Sequence, residues 1–159
     1  MIIRAVATAD FVAAQQLLDE VFVREGYTPA QHHSVVMDVA GRFVAPQTWT
    51  LVAVDDHGLL GHVVVCRHPS PLVHLADVND AEIRLLATVP NARCRGVGTA
   101  LVTECLDRAR SAGCLRVVLA TQATMYAAQR LYTRLGFQRV PGCDQLWSGR
   151  QLLAYEIAL

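Results

Sequence analysis

Arg93-Cys94-Arg95-Gly96-Val97-Gly98-Thr99 lies between two apolar runs of different character. Ile83 to Val89 before it reads as a strand, and Val97 to Arg110 after it reads as a helix. Two glycines one residue apart let the backbone turn sharply and leave no Cβ in the way of a close ligand. The N–H groups of a first helical turn are unpaired and carry the positive end of the helix dipole. Such an end holds phosphate oxygens, and Arg93 and Arg95 add positive charge beside it. The segment therefore reads as a pyrophosphate cradle. A dinucleotide-binding turn needs a small residue three positions after the second glycine, where this chain has Leu101. A Walker A loop needs Gly-Lys-Ser/Thr, which is absent. Taken alone, the motif also fits a left-handed turn into a helix with solvated arginines.

The wider context narrows the reading. Glu82 to Val102, with its Arg-x-x-Gly-x-Gly core, resembles the acetyl-coenzyme A-binding signature of the GNAT superfamily of N-acyltransferases. Ala127-Ala-Gln-Arg-Leu-Tyr132-Thr-Arg-Leu-Gly-Phe137 resembles the family's later helix, which ends in Leu-Tyr-x-x-Leu-Gly-Phe. Two motifs in the family's order and spacing are far more specific than either alone. They cover the C-terminal half. The N-terminal half has a compatible element order and no signature.

The 159 residues suffice for one domain with a sizeable core, expected over 1–159. A formal net charge of zero gives no basic excess for a nucleic-acid backbone. The five cysteines, Cys66, Cys94, Cys105, Cys114 and Cys143, are odd in number, irregularly spaced and without Cys-x-x-Cys. They suit neither a disulfide framework nor a zinc site, and point to reduced, mostly buried thiols of a cytoplasmic protein. The six histidines include no His-x-x-x-His pair, so no metal is expected. Neither a secretory leader nor a run of membrane-spanning length is visible.

Ile2 to Val6 reads as a strand. Thr8 is expected to cap a helix with Ala14, Leu17, Leu18, Val21 and Phe22 at helical spacing. A second helix is expected to open at Thr28-Pro29 and to bury Val35, Val36, Val39 and Phe43. Trp49 to Val54 and Leu59 to Cys66 form a hairpin around Asp55-Asp-His-Gly58. Glu82 to Val89 is the next strand. The following helix buries Val97, Leu101, Cys105 and Ala109. Leu115 to Ala120 is a strand covered on both faces. A helix over Thr124 to Leu135 stops at Gly136, and Phe137 to Val140 and Leu152 to Ala158 are terminal strands. The order predicts an α+β fold, a mixed central sheet of about seven strands with helices on both faces. The resemblance implies that two parallel strands, here Glu82–Val89 and Leu115–Ala120, splay around the cofactor. It also implies homodimers through terminal strands, for which Leu152–Ala158 is apolar enough.

The resemblance assigns residues to acetyl-coenzyme A. Leu86, Ala87 and Thr88 match positions whose backbone pairs with the pantetheine arm. Arg93, Cys94, Arg95, Gly96, Val97, Gly98 and Thr99 match the pyrophosphate loop. Tyr132 matches the tyrosine that protonates the leaving thiolate in many members. Read from the residues alone, it equally belongs to the apolar stripe Ala128, Leu131, Tyr132, Leu135. Glu82 matches a glutamate that acts as base in some members; from the residues alone it could equally pair with Arg84. Strand alternation puts Glu82, Arg84 and Leu86 on one face and Ile83, Leu85 and Ala87 on the other. Two positions depart from the family pattern. Val89 replaces a common aspartate, and Met125 replaces an asparagine that contacts pantetheine, with Thr121, Gln122 and Thr124 as substitutes.

Acceptor recognition is expected from the first two helices and the 67–80 loop, with Glu25, Tyr27, His32, His33, His68, His74, Asp77 and Asp80 as polar candidates. The expected activity is acetyl transfer from acetyl-coenzyme A to a primary amine of a small molecule, by direct attack in a ternary complex. The alternatives are protein or peptide N-acetylation and a non-catalytic acyl-coenzyme A-binding module.

Overall fold

A computed structural model describes residues 1–159. The sheet has eight strands: β1 (Ile2–Ala5), β2 (Thr48–Asp55), β3 (Gly58–Cys66), β4 (Asp80–Thr88), β5 (Arg116–Gln122), β6 (Gln138–Arg139), β7 (Gln145–Trp147) and β8 (Arg150–Ala158). Their order is β1-β2-β3-β4-β5-β8-β6, with β7 also paired to β8. Every pairing is antiparallel except β4 with β5. A parallel neighbour requires a crossover, and α4 (Val97–Ser111) supplies it. The remaining helices are α1 (Phe11–Leu18), α2 (His33–Met37), α3 (Val39–Val44) and α5 (Tyr126–Arg134).

The period-2 pleat sends alternate residues of the hairpin to opposite cores. Leu51, Ala53, Val63 and Val65 pack with Val97, Leu101 and Cys105 of α4 and with Tyr132 of α5. Val52 packs with Leu17 and Leu18 of α1 and with Val36 and Val39. Helices thus cover both faces, as expected. α4 approaches closely because β3 has Gly61 beneath it. A Cβ there would lie 2.9 Å from both Leu101 Cδ1 and Val97 Cγ1.

The N-terminal helices differ from expectation. Thr8 is not the cap: a 3-10 turn, Thr8–Asp10, precedes α1, and the Asp10 carboxylate accepts from Ala7 N at 2.7 Å. After α1 the chain widens into a π-helical turn, Asp19–Arg24. The expected second helix is divided at Asp38, whose side chain accepts from Gly41 N at 2.8 Å and opens α3. The division turns Val35 and Phe43 outward, while Val36 and Val39 stay buried.

At the other end the sequence reading missed β7, which forms a hairpin with β8. β8 therefore has no free edge over much of its length. Leu152 pairs with Gln122 and Gln145, and Tyr155 with Leu119 and Arg139. Leu152–Ala158, the stretch expected at a dimer contact, is thus partly covered on its second side by β6 and β7. No helix is long and apolar enough to cross a membrane.

Candidate functional site

The site begins where two strands part. β4 and β5 pair in register from Asp80↔Arg116 to Ile83↔Leu119 and no further. Beyond that point β5 pairs only with β8. β4 changes course at a bulge: Arg84 faces Val64 and Ala87 faces His62, so Leu85 and Leu86 together oppose Val63. Leu85 has φ +51°, a left-handed conformation costly for a leucine. His62 holds it there, with Nδ1 and the Leu85 carbonyl 3.1 Å apart. His62 is fully buried, and burial lowers its pKa to about 4. The ring is therefore neutral near pH 7, with Nδ1–H as donor to that carbonyl.

The bulge also corrects the expected alternation. Leu86 packs against the core that contains Ile83, whereas Leu85 and Ala87 belong to the opposite one. The backbone of Leu86, Ala87 and Thr88 thus borders the gap without a strand partner from β5.

The Gly-x-Gly loop closes this gap at one end. Gly96, at φ +83°, is the N-cap of α4, and no side chain caps that end. The N–H groups of Val97, Gly98 and Thr99 precede the first intrahelical bond, from Ala100 N to Gly96 O at 3.0 Å. A Cβ on Gly98 would lie 3.2 Å from Leu131 Cδ2, so α5 crowds this turn.

Together these elements enclose a groove of about 600 Å³. All the residues expected on the cofactor side line it except Arg95, which is exposed outside it. The facing wall comes from Val21 and Phe22 of the π turn, then Glu25 and Tyr27. α5 contributes Ala127, Ala128, Arg130, Leu131 and Arg134. Arg130 and Arg134 were not singled out in the sequence, although their spacing puts both on one helix face.

Of the three proposed substitutes for the missing asparagine, Thr124 lines the groove beside Met125. The Gln122 amide instead donates to the Tyr27 carbonyl at 2.5 Å, and the Thr121 hydroxyl contacts Met125 Sδ at 3.4 Å.

Tyr132 and Glu82 are not lining residues. Tyr132 is 5% exposed, its ring 5.7 Å from Phe137 and 6.0 Å from Tyr155. Burial raises its phenol above the ordinary range, so it keeps its proton. Glu82 faces the 72–76 loop. Its Oε2 accepts from the backbone N–H of His74, Leu75 and Ala76 at 2.8, 2.7 and 3.2 Å. Its Oε1 lies 3.3 Å from Arg84 Nη1. In this structure Glu82 is an anchor for that loop.

Among the acceptor candidates, only Glu25 and Tyr27 reach the groove. His32 stacks on Trp147 at 5.0 Å, His68 meets the Ala76 carbonyl at 3.0 Å, and Asp80 pairs with Arg116 at 2.7 Å. Cys66, Cys105 and Cys114 are buried, and Cys94 and Cys143 exposed, all as free thiols.

A strand pair that parts beside an uncapped glycine turn is the expected frame, and residues 13–137 match the Acetyltransferase (GNAT) family. The chain belongs to that family. This GNAT chain is 33% identical to N-alpha-acetyltransferase 30 of Schizosaccharomyces pombe over 91 residues, 57% of this chain and 58% of that one. It is 28% identical to N-acetyltransferase family 8 member 3 of Rattus norvegicus over 116 residues, 72% of this chain and 50% of that one. The chain thus spans about half the length of these relatives. Among solved structures, a GCN5-related N-acetyltransferase from Kribbella flavida superposes with a TM-score of 0.77 at 27% identity, covering 99% of this chain and 97% of that one.

Proposed function

We propose that this GNAT protein transfers an acetyl group from acetyl-coenzyme A to a primary amine of a small molecule, by direct attack in a ternary complex. The observation that carries the reading is the gap between β4 and β5, opened by the Leu85 bulge and ending at the uncapped turn of α4. Acetyl-coenzyme A supplies the acyl group as a thioester. The free N–H groups at Val97, Gly98 and Thr99, with Arg93, suit its pyrophosphate. The β4 backbone at Leu86–Thr88, which pairs with β3 but has no partner on its β5 side, suits the amides of its pantetheine arm.

Two features favour a small acceptor. Chain segment 26–32 is tied to the C-terminal hairpin through Arg150 to the Gly26 carbonyl and His32 against Trp147. Gln122 ties the same segment to β5. These ties fix the segment that carries Tyr27 at the groove. Acetylation of peptide N-termini is the second reading, favoured by the similarity to N-alpha-acetyltransferase 30.

Tyr132 is the proposed acid for the departing thiolate. It follows Leu131, which lines the groove, and its phenol is held protonated by burial. The experiment is thiol release from acetyl-coenzyme A across a panel of small amines and peptides, with intact-mass detection of product. Tyr132→Phe keeps the packed ring. Turnover is expected to fall about 100-fold, the lower range for a positioned acid, with acetyl-coenzyme A affinity unchanged. Unchanged turnover would assign Tyr132 to packing alone.

A further inference from the structure

Glu25 is the one carboxylate among the groove-lining residues, against three arginines, Arg93, Arg130 and Arg134. It is not free. Its Oε1 accepts from Arg93 Nη2 at 2.6 Å, joining the acceptor-side wall to the phosphate loop across the groove. The two side chains are 36% and 46% exposed, so the pair is partly hydrated and weak. A pyrophosphate is a stronger competitor for the same guanidinium, because it offers more charge and paired oxygens.

Breaking the pair need not move the wall. Gly26 and Tyr27 are held independently, their carbonyls accepting from Arg150 Nη1 and Gln122 Nε2, each at 2.5 Å. Glu25 would then remain at the groove without its cation.

We infer that the Glu25–Arg93 ion pair is a clasp that cofactor phosphates open by taking Arg93, and that the released Glu25 carboxylate then selects acceptors carrying a second positive charge. This rests on the acetyl-coenzyme A reading above. Its thermodynamic content is a coupling: the cofactor strengthens cation binding at Glu25, and the cation strengthens cofactor binding by the same factor. In the empty protein Arg93 neutralises Glu25, so a cationic acceptor gains little.

The test is calorimetric titration of acetyl-coenzyme A at low salt into the wild type, Glu25→Gln, Arg93→Gln and the double variant. Glu25→Gln is expected to bind about two- to five-fold tighter, the range an exposed ion pair allows. In the Arg93→Gln background the same change should have almost no effect. Unchanged or weaker binding by Glu25→Gln overturns the clasp. Equal tightening in both backgrounds overturns it too, since that would be plain repulsion between Glu25 and the phosphates. A folded wild type that binds no acetyl-coenzyme A removes the underlying reading and the clasp with it.

The acceptor half is read separately, by titrating diaminobutane into the wild type with and without saturating coenzyme A. Binding should be at least about three-fold tighter with coenzyme A present, and Glu25→Gln should abolish the difference. No difference, or no binding in either state, overturns the role of Glu25 in acceptor selection.

Discussion

The two walls of the groove are built in different ways. The wall from Leu86 to Thr99 is one continuous stretch of chain, and much of what it offers a ligand is backbone. The facing wall, Val21 to Tyr27, packs Val21 and Phe22 into the core and holds Gly26 and Tyr27 through side chains recruited from far away, Arg150 and Gln122. Backbone presented by a bulge and a helix end depends on local geometry. A wall held by distant side chains can change at single positions without disturbing the sheet. Within one fold, the first arrangement suits a constant ligand and the second a variable one.

The largest effect should come from breaking the continuous wall. Gly98→Glu places a charged side chain where even a Cβ would be 3.2 Å from Leu131. Affinity for acetyl-coenzyme A is expected to drop at least about 100-fold, about 2.7 kcal/mol, with the circular dichroism spectrum retained. Unaltered affinity would mean that the turn does not hold the phosphates.

A smaller effect concerns what stands behind that wall. His62 titrates at about 4 when folded, against 6.5 for the free side chain. Above pH 6.5 both states are neutral and the residue adds no pH dependence. Between 6.5 and 4 the unfolded chain binds the proton that the folded protein refuses, so stability is lost as the pH falls and levels off below about 4. The loss at pH 5 is about 2 kcal/mol. Urea unfolding at pH 7 and pH 5 should show this slope in the wild type and a shallower one in His62→Gln. Parallel slopes would mean that the buried ring is not refusing the proton.

The smallest effect belongs to the facing wall. Gln122→Ala removes the donor to the Tyr27 carbonyl. It should raise the acceptor KM about three- to ten-fold, as loss of one hydrogen bond does, while leaving acetyl-coenzyme A affinity within about two-fold. An equal change in both constants would show that the walls are not independent.

Legibility differed between the walls for the same reason. The glycine turn, the helix after it and the residues facing the groove were readable because they are contiguous and follow local rules of φ and capping. Arg95 was the exception, because charge in a loop does not reveal which way a side chain points. The Leu85 bulge left no trace: a leucine at φ +51° is imposed by the His62 bond and by two cores, not by preference. Glu82 matched a base by position. Its surroundings, three backbone N–H groups that lie six to eight residues earlier in the chain, were invisible to strand alternation. The break at Asp38 was legible in principle, since Asp38 with Gly41 is a helix opening.

Local sequence was sufficient for most of the elements, the mixed sheet and the glycine turn. Periodicity, glycine placement and helix-end chemistry act within a few residues and carry their own energy. The anchoring role of Glu82 and the tie between Glu25 and Arg93 came from long-range packing. Each depends on groups brought together across the chain, and an isolated segment holds no record of its distant neighbours.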